Sequence, residues 1–285
     1  MPPTDYHEKI IQYYNETENS YKDSWDLNNS LALHYGYWDK AVKSFRKSLT
    51  RMNEVMMIAA EIKPTDWVLD AGCGVGGSSI FLSSMLGCRV TGITLSERQV
   101  KLAIENAGKI ESIDGLVDFK IMNYSSTDFP AASFDVVWGI ESICHADNKE
   151  LFIKEAFRIL KPGGRLVIAD GFVSDFRYNN NPIIRQWLDG WYVNYLETPQ
   201  RFESFMEQSG FSTINFRNIS NEIAHSSRRL YKIYFLAKLY RAWKKISFSK
   251  QTTAMQNKNI NACKYQYLGM KKGLWQYGLI VGTKR

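Results

Sequence analysis

Between Trp67 and Thr283 the apolar residues fall in short buried-type runs separated by amphipathic stretches. That alternation is the mark of strands exchanging with helices. Trp67-Val68-Leu69-Asp70 reads as a strand that enters a glycine-rich turn, with a helix over Ser78 to Leu86. Further strands are predicted at Arg89–Thr94, Val117–Met122, Phe134–Ile140, Arg165–Phe172, Phe211–Ile219 and Leu274–Thr283. Helices are predicted at Glu97–Ala107 and Lys149–Ile159, the second ended by Lys161-Pro162-Gly163-Gly164. The order predicts a doubly wound, Rossmann-like α/β fold of seven mostly parallel strands with helices on both faces. Helical stretches near residues 4–20 and 40–62 precede it. We therefore expect an N-terminal helical lid over 1–62, a ligand-binding core over 63–219, a basic aromatic cap over 220–272 and a final core strand over 273–285.

The 285 residues, 45% hydrophobic and 23% charged, describe a globular chain with enough apolar material for a sizeable core. No apolar run approaches the roughly 20 residues needed to span a bilayer, and the first residues lack the basic start and apolar core of a secretory signal. The four cysteines are scattered without a C-x-x-C pair, so no metal site is expected and a reducing, cytoplasmic setting is the simplest one. The net charge of +7 conceals an asymmetry: from Ile223 onward there are 14 Lys or Arg and no Asp or Glu. The preceding residues are net acidic. A basic tail on an acidic body predicts an anionic partner, either a membrane surface met peripherally or a phosphorylated substrate. In Lys238–Ile246 the bases Lys238, Arg241, Lys244 and Lys245 are expected on one helical face and Leu239, Tyr240, Ala242, Trp243 and Ile246 on the other, as in a surface-binding helix. The apolar stretch Leu230–Ala237 before it is expected to pack inside the cap. Nucleic acid is not expected as a partner; self-association is left open.

The candidate chemistry starts at Val68-Leu-Asp-Ala-Gly-Cys-Gly-Val-Gly-Gly77. Gly72, Gly74 and Gly77 have G-x-G-x-x-G spacing between a strand and a helix, where bare backbone can approach a ligand at a helix N-terminus. Asp70, two residues earlier, would repel a pyrophosphate but suits a cationic amino-acid moiety. VLDAGCGVGG, TGITLSERQ, FDVVWGIESICHAD and LKPGGRLVIAD together resemble the class I S-adenosylmethionine-dependent methyltransferases, in their sterol 24-C, tocopherol and cyclopropane-fatty-acid synthase branch. The resemblance is strong over residues 64–172 and looser over the opening His34–Trp38.

That resemblance implies S-adenosyl-L-methionine as cofactor, with Asp70, Gly72 and Gly74 at its methionine end. Thr94 and Gln99 are then expected near the ribose, Asn123 and Tyr124 near the adenine, Ile140 along the crevice and Tyr14 over the top. Ser96 reads as the cap of the following helix. The segment Glu141-Ser-Ile-Cys-His-Ala resembles the EATCHA of sterol methyltransferases and marks Glu141 and His145 as catalytic candidates. Glu141 suits proton removal after carbon methylation, and His145 suits a hydroxyl or amine acceptor. Cys144 reads as packing. Tyr21, Trp25, Trp38 and Trp191 are candidates for the substrate wall, with Trp187, Tyr192 and Tyr195 beside the last of these. The expected activity is methyl transfer to a lipophilic small molecule, foremost carbon methylation of an isoprenoid such as a sterol, terpenoid or prenyl diphosphate. N- or O-methylation of a small amine or phenol is the alternative. A non-catalytic, cofactor-binding membrane or assembly module is the reading from another class.

Overall fold

The structure, a computed structural model, describes residues 5–25, 27–246 and 253–285, with the side chains of residues 18–25, 28 and 241–246 outside the description. Three helices open the chain: α1 (Asp5–Trp25), α2 (Leu27–Ser30) and α3 (Phe45–Ala59). The sheet then begins with β1 (Trp67–Ala71), α4 (Gly77–Leu86), β2 (Arg89–Thr94), α5 (Glu97–Ala107), β3 (Val117–Ile121), β4 (Phe134–Ile140), α6 (Lys149–Ile159) and β5 (Leu160–Val173). After it come α7 (Pro182–Gly190), α8 (Pro199–Ser209), β6 (Phe211–Asn218), α9 (Ser220–Ile246), α10 (Ala254–Lys271) and β7 (Trp275–Lys284).

The seven strands lie in the order β3-β2-β1-β4-β5-β7-β6. The first five run parallel, and β7 is antiparallel to both β5 and β6. The order reverses between β1 and β4, so the C-terminal ends of those strands flank the crevice where an open α/β sheet takes its ligand. β5 begins earlier than the Lys161–Gly164 turn predicts. Leu160 pairs with Phe134 and Arg165 with Val136, so the turn is accommodated as a bulge inside the strand, with Gly163 at φ 76°.

Two apolar layers hold the sheet. One joins Leu49, Met52 and Met56 of α3 to Val136 and Trp138 of β4 and to Ile184 and Leu188 of α7. The other sets Phe152, Ile153 and Ala156 of α6 and Phe202 and Met206 of α8 against Val137, Leu166 and Ile168. These side chains leave water almost completely, and burying each Leu, Ile, Val, Met or Phe among them contributes about 1.5–3 kcal/mol. α9 and α10 fill the connection between β6 and β7, and α10 packs on α7 and α1. The expectation for Leu230–Ala237 is corrected here. Leu230 is buried, but Phe235 and Leu236 are exposed, because the face that α9 buries in its first half is continued by other residues. Among the described residues, no helix is long and apolar enough to cross a membrane.

Candidate active site

β1 runs straight into the glycine turn. Gly72, Gly74 and Gly76 take φ values of 88°, 53° and 88°, a region that residues with a Cβ rarely enter. A Cβ on Gly72 would lie 2.4 Å from that of Ser142, whereas one on Gly74 would meet nothing within 4 Å. The turn is thus pinned at Gly72 and open at Gly74, where bare backbone faces a cleft of about 250 Å³. Thr94, Ser96 and Gln99 wall this cleft from the end of β2 and the start of α5, and Asn123 and Tyr124 from the end of β3. Ile140, Glu141, Ser142 and His145 close it from β4, and His7, Ile10 and Tyr14 cover it from α1.

The polar groups are already ordered. The Thr94 hydroxyl donates to Gln99 Oε1 at 2.6 Å, and Ser96 caps α5 by accepting from the Gln99 amide, as its sequence position predicts. Tyr124 donates to the Ser142 carbonyl at 2.9 Å. Asn123 Oδ1 accepts from the Ser125 amide in a local turn. Asp70 does not wall the cleft. It is buried beneath the turn, where Oδ2 accepts from the Ser79 hydroxyl at 2.6 Å and ties β1 to α4; burial raises its pKa to about 6.

A second, smaller cavity adjoins the first. Its wall is aromatic: Tyr13, Tyr14, Tyr35, Trp187, Trp191, Trp275 and Tyr277, with Leu33, Leu188 and Leu196 between them. Trp187 packs on Trp275 at 4.4 Å and edge-on to Trp191 at 5.7 Å. The ionisable groups on its wall include Glu141, Asp170, Cys144 and His145, and among the described residues neither Lys nor Arg lines it. Tyr14, Leu33, Glu141 and His145 wall both cavities, so they form the partition between cleft and chamber.

Glu141 follows the last residue of β4 with φ 46°, a left-handed conformation unusual for a residue of its kind. Its Oε1 accepts from the Tyr35 amide at 2.5 Å and from the Tyr277 hydroxyl at 2.7 Å. Those bonds favour the carboxylate, but burial outweighs them and, with Asp170 nearby, carries its pKa up to about 8. His145 ends the 3-10 turn Ile143–His145. Its Nδ1 lies 3.2 Å from the Tyr192 carbonyl, which can only accept, so Nδ1 carries the proton. Nε2 is then the acceptor that faces the Tyr14 hydroxyl at 3.1 Å. Burial keeps this imidazole neutral, with a pKa of about 4.

Lys149 anchors the loop that carries these residues. It is buried at the start of α6, and its ammonium donates to the carbonyls of Cys144, Ala146 and Tyr195, each at 2.9 Å. The Tyr195 ring lies 3.8 Å from the same ammonium. Two of the three carbonyls flank His145. Asp170 accepts from the Cys144 amide at 2.8 Å, fixing the opposite side of the loop.

Trp191 and Trp187 wall the chamber as the sequence predicts, and the Tyr192 carbonyl meets His145. Trp38 does not. Its ring stacks on His225 at 3.9 Å and its Nε1 donates to Ser226, because the chain after Tyr35 turns onto α9 and away from the cavities. Tyr21 and Trp25 lie in α1, with their side chains outside the described residues. Arg229 of the basic segment lies over the Phe45 ring at 4.0 Å, and neither it nor Arg228 walls either cavity. Sequence reasoning did not single out Trp275, Tyr277, Asp170 or Lys149. For Asp170 the signal was available: a carboxylate ends the apolar run Leu166–Ala169 at the same sheet edge as Glu141.

A glycine turn at the C-terminal edge of β1, with polar walls from the ends of β2 and β3 on this strand order, is the Rossmann-like class I arrangement. The methyltransferase-domain family profile matches residues 69–168. The O-methyltransferase cnsE of Penicillium expansum is 30% identical over 232 residues, 79% of each chain. The sterol 24-C-methyltransferase ERG6 of Saccharomyces cerevisiae is 33% identical over 178 residues, 62% of this chain and 45% of its own. The chain belongs to the S-adenosylmethionine-dependent methyltransferases. It spans about half the length of the curated relatives that match it first.

Solved structures share the fold end to end. The [4+2]-cyclase SpnF superposes with a TM-score of 0.80 at 19% identity, covering 100% of this chain and 98% of its own. Geranyl diphosphate C-methyltransferase from Streptomyces coelicolor, solved with Mg2+, geranyl diphosphate and S-adenosyl-L-homocysteine, superposes with a TM-score of 0.78 at 21% identity, covering 100% of both chains. The residues of the cleft fit S-adenosylmethionine. The Cβ-free face of Gly74 leaves room for close approach, and the hydroxyl and amide groups of Thr94, Gln99 and Asn123 can serve a ribose and an adenine edge.

Proposed function

We propose that this chain transfers a methyl group from S-adenosylmethionine to an uncharged lipophilic acceptor, foremost an alkene carbon of an isoprenoid. The observation that carries the reading is the partition. Glu141 and His145 wall the glycine-turn cleft and the aromatic chamber at once, so a donor in one and an acceptor in the other would meet beside them. S-adenosylmethionine supplies an electrophilic methyl group on a cationic sulfur. The chain's own residues do the rest. Gly72, Gly74, Thr94, Gln99, Asn123, Tyr124 and Ile140 hold the donor, and Tyr14 covers it. Trp187, Trp191, Trp275 and Tyr277 enclose the acceptor and keep water out. Their ring faces stabilise the positive charge that an alkene acquires when its π electrons form the new carbon–carbon bond. Glu141, once ionised, takes the proton that this carbon skeleton must shed. The Tyr35 amide and Tyr277 hydroxyl hold its carboxylate in place while it does so.

The chamber's composition narrows the acceptor. A prenyl diphosphate would bring at least two negative charges towards Glu141 and Asp170, on a wall that holds no Lys or Arg among the described residues. A neutral isoprenoid meets no such repulsion. The second reading is O-methylation with His145 as base. The Nε2 acceptor beside Tyr14 favours it, and the lowered pKa of His145 makes it the weaker base. α1 acts as the lid in this scheme, through Ile10 and Tyr14, whereas α3, which the expected lid over 1–62 included, packs on the sheet.

The test is transfer of labelled methyl from S-adenosylmethionine to a panel of sterols, linear polyprenes, prenyl diphosphates, phenols and amines, with wild type and Glu141→Gln. Label in a polyprene or sterol, lost in Glu141→Gln with donor binding retained, is the expected result. Label confined to phenols and abolished by His145→Gln establishes the second reading. Transfer to a diphosphate alone overturns the uncharged-acceptor assignment.

A further inference from the structure

β5 is a central strand, paired with β4 on one side and β7 on the other. From Leu166 to Val173 every residue of it is buried except Gly171, which keeps accessible surface and belongs to the chamber wall. Nothing in the backbone calls for glycine there: its φ lies outside the left-handed region, and it pairs with Tyr277 of β7 in regular register. Nor does packing. A Cβ at Gly171 would stand 3.5 Å from the Trp187 ring, 3.7 Å from Leu196 Cδ1 and 3.8 Å from the Trp275 ring. All three are ordinary van der Waals distances, and all three side chains wall the chamber. The other glycines of the sheet differ. At Gly92, Gly139, Gly164, Gly278 and Gly282 a Cβ would come within 2.8 Å of a neighbour, and Gly163 has φ 76°. Gly171 therefore leaves a notch in the aromatic wall that the fold itself does not require.

We infer that Gly171 is a specificity-determining residue: its bare backbone deepens the chamber by one methyl group, and a methyl branch of the acceptor takes the place of the missing Cβ. The inference rests on the chamber being the acceptor's site. The three atoms nearest the notch are all carbon, so it favours a hydrocarbon branch. A polar substituent there would give up water without gaining a hydrogen bond. The notch also lies on the reacting side of the sheet. Gly171 follows Ala169 by two residues and so shares its face, and the Ala169 carbonyl accepts from the Glu141 amide at 2.9 Å. A branch seated against Gly171 is thereby held in register with the carboxylate on the partition.

The experiment is calorimetry of geraniol, an uncharged isoprenoid, and of analogues that each lack one of its methyl branches, with S-adenosylhomocysteine saturating the cleft. It compares wild type with Gly171→Ala. Wild type should bind geraniol, and Gly171→Ala should weaken that binding about tenfold or more, the worth of one methyl group in an apolar pocket. At least one desmethyl analogue should bind both proteins with affinities within about twofold, because the ligand then vacates the space that the new methyl fills. The melting temperature of Gly171→Ala should match that of wild type within about 2 °C or exceed it, since alanine suits a strand φ and meets no clash. No geraniol binding by wild type, binding that Gly171→Ala leaves unchanged, or an equal loss for every analogue overturns the inference. A melting temperature several degrees lower also overturns it, making Gly171 a packing glycine. The expected binding pattern in a protein that transfers label to no acceptor supports the notch and overturns the methyl-transfer reading instead.

Discussion

Glu141 makes cofactor binding a proton-linked event, and the linkage can be measured. The groups that face it are Tyr35 before α3, Tyr277 on β7, Asp170 on β5, and Cys144 and His145 on its own loop. None is a cation. With a pKa near 8 its carboxyl is only about one-tenth ionised at pH 7. A unit positive charge within about 10 Å, at an effective dielectric near 20, is worth roughly 1.7 kcal/mol, over one pKa unit. A bound sulfonium therefore favours the carboxylate, and binding expels the proton. The sign follows: raising the pH from 7 to 8 pre-ionises Glu141 and strengthens binding, by about three- to fourfold for a shift of this size. S-adenosylhomocysteine has the same amino-acid and adenosine parts but an uncharged sulfur, so it isolates the effect. Titration calorimetry at pH 7 in two buffers of different ionisation enthalpy should show about half of one proton released with S-adenosylmethionine beyond that with S-adenosylhomocysteine. Glu141→Gln keeps an oxygen acceptor for Tyr35 and Tyr277 and should abolish the difference. Equal proton release by both ligands, or a difference that survives in Glu141→Gln, refutes the reasoning.

Other outcomes follow from the same geometry. Lys149→Met strands three carbonyls, two of them flanking His145; with each unmet group costing about 1–3 kcal/mol, the melting temperature should fall by several degrees and turnover should drop with it. Gly72→Ala forces a Cβ against Ser142 at φ 88° and should cost about 1–3 kcal/mol in chemical denaturation while weakening donor binding. Trp191→Ala removes part of the chamber wall and none of the cleft wall, so acceptor KM should rise about tenfold or more while the donor Kd measured by calorimetry stays put. Trp38→Phe gives up the bond to Ser226 on α9 but touches neither cavity; it should lower stability by about 1 kcal/mol and leave acceptor KM unchanged.

What the sequence by itself determined was the frame. Strand runs, helix periods and the glycine turn are local signals, since side-chain alternation, capping and positive φ are settled within a few residues. They located every strand, the Ser96 cap and the cleft residues Gly74, Thr94, Gln99, Asn123 and Tyr124. Only the tertiary structure decided which aromatics look inward. Trp38 and Trp191 are equally good chamber residues in one dimension, yet the chain's turn after Tyr35 sends the first onto α9 while α7 delivers the second to the cavity. The same holds for the groups that tune Glu141. Tyr35 and Tyr277 stand 106 and 136 residues away in sequence and reach one carboxylate oxygen because β7 inserts antiparallel beside β5. A pKa is set by burial and by neighbours in space, and neither quantity is written in the order of residues along the chain. α9 makes the point from the outside: its run Leu230–Ala237 reads as core by composition, and only the direction of the helix's buried line turns Phe235 and Leu236 towards water.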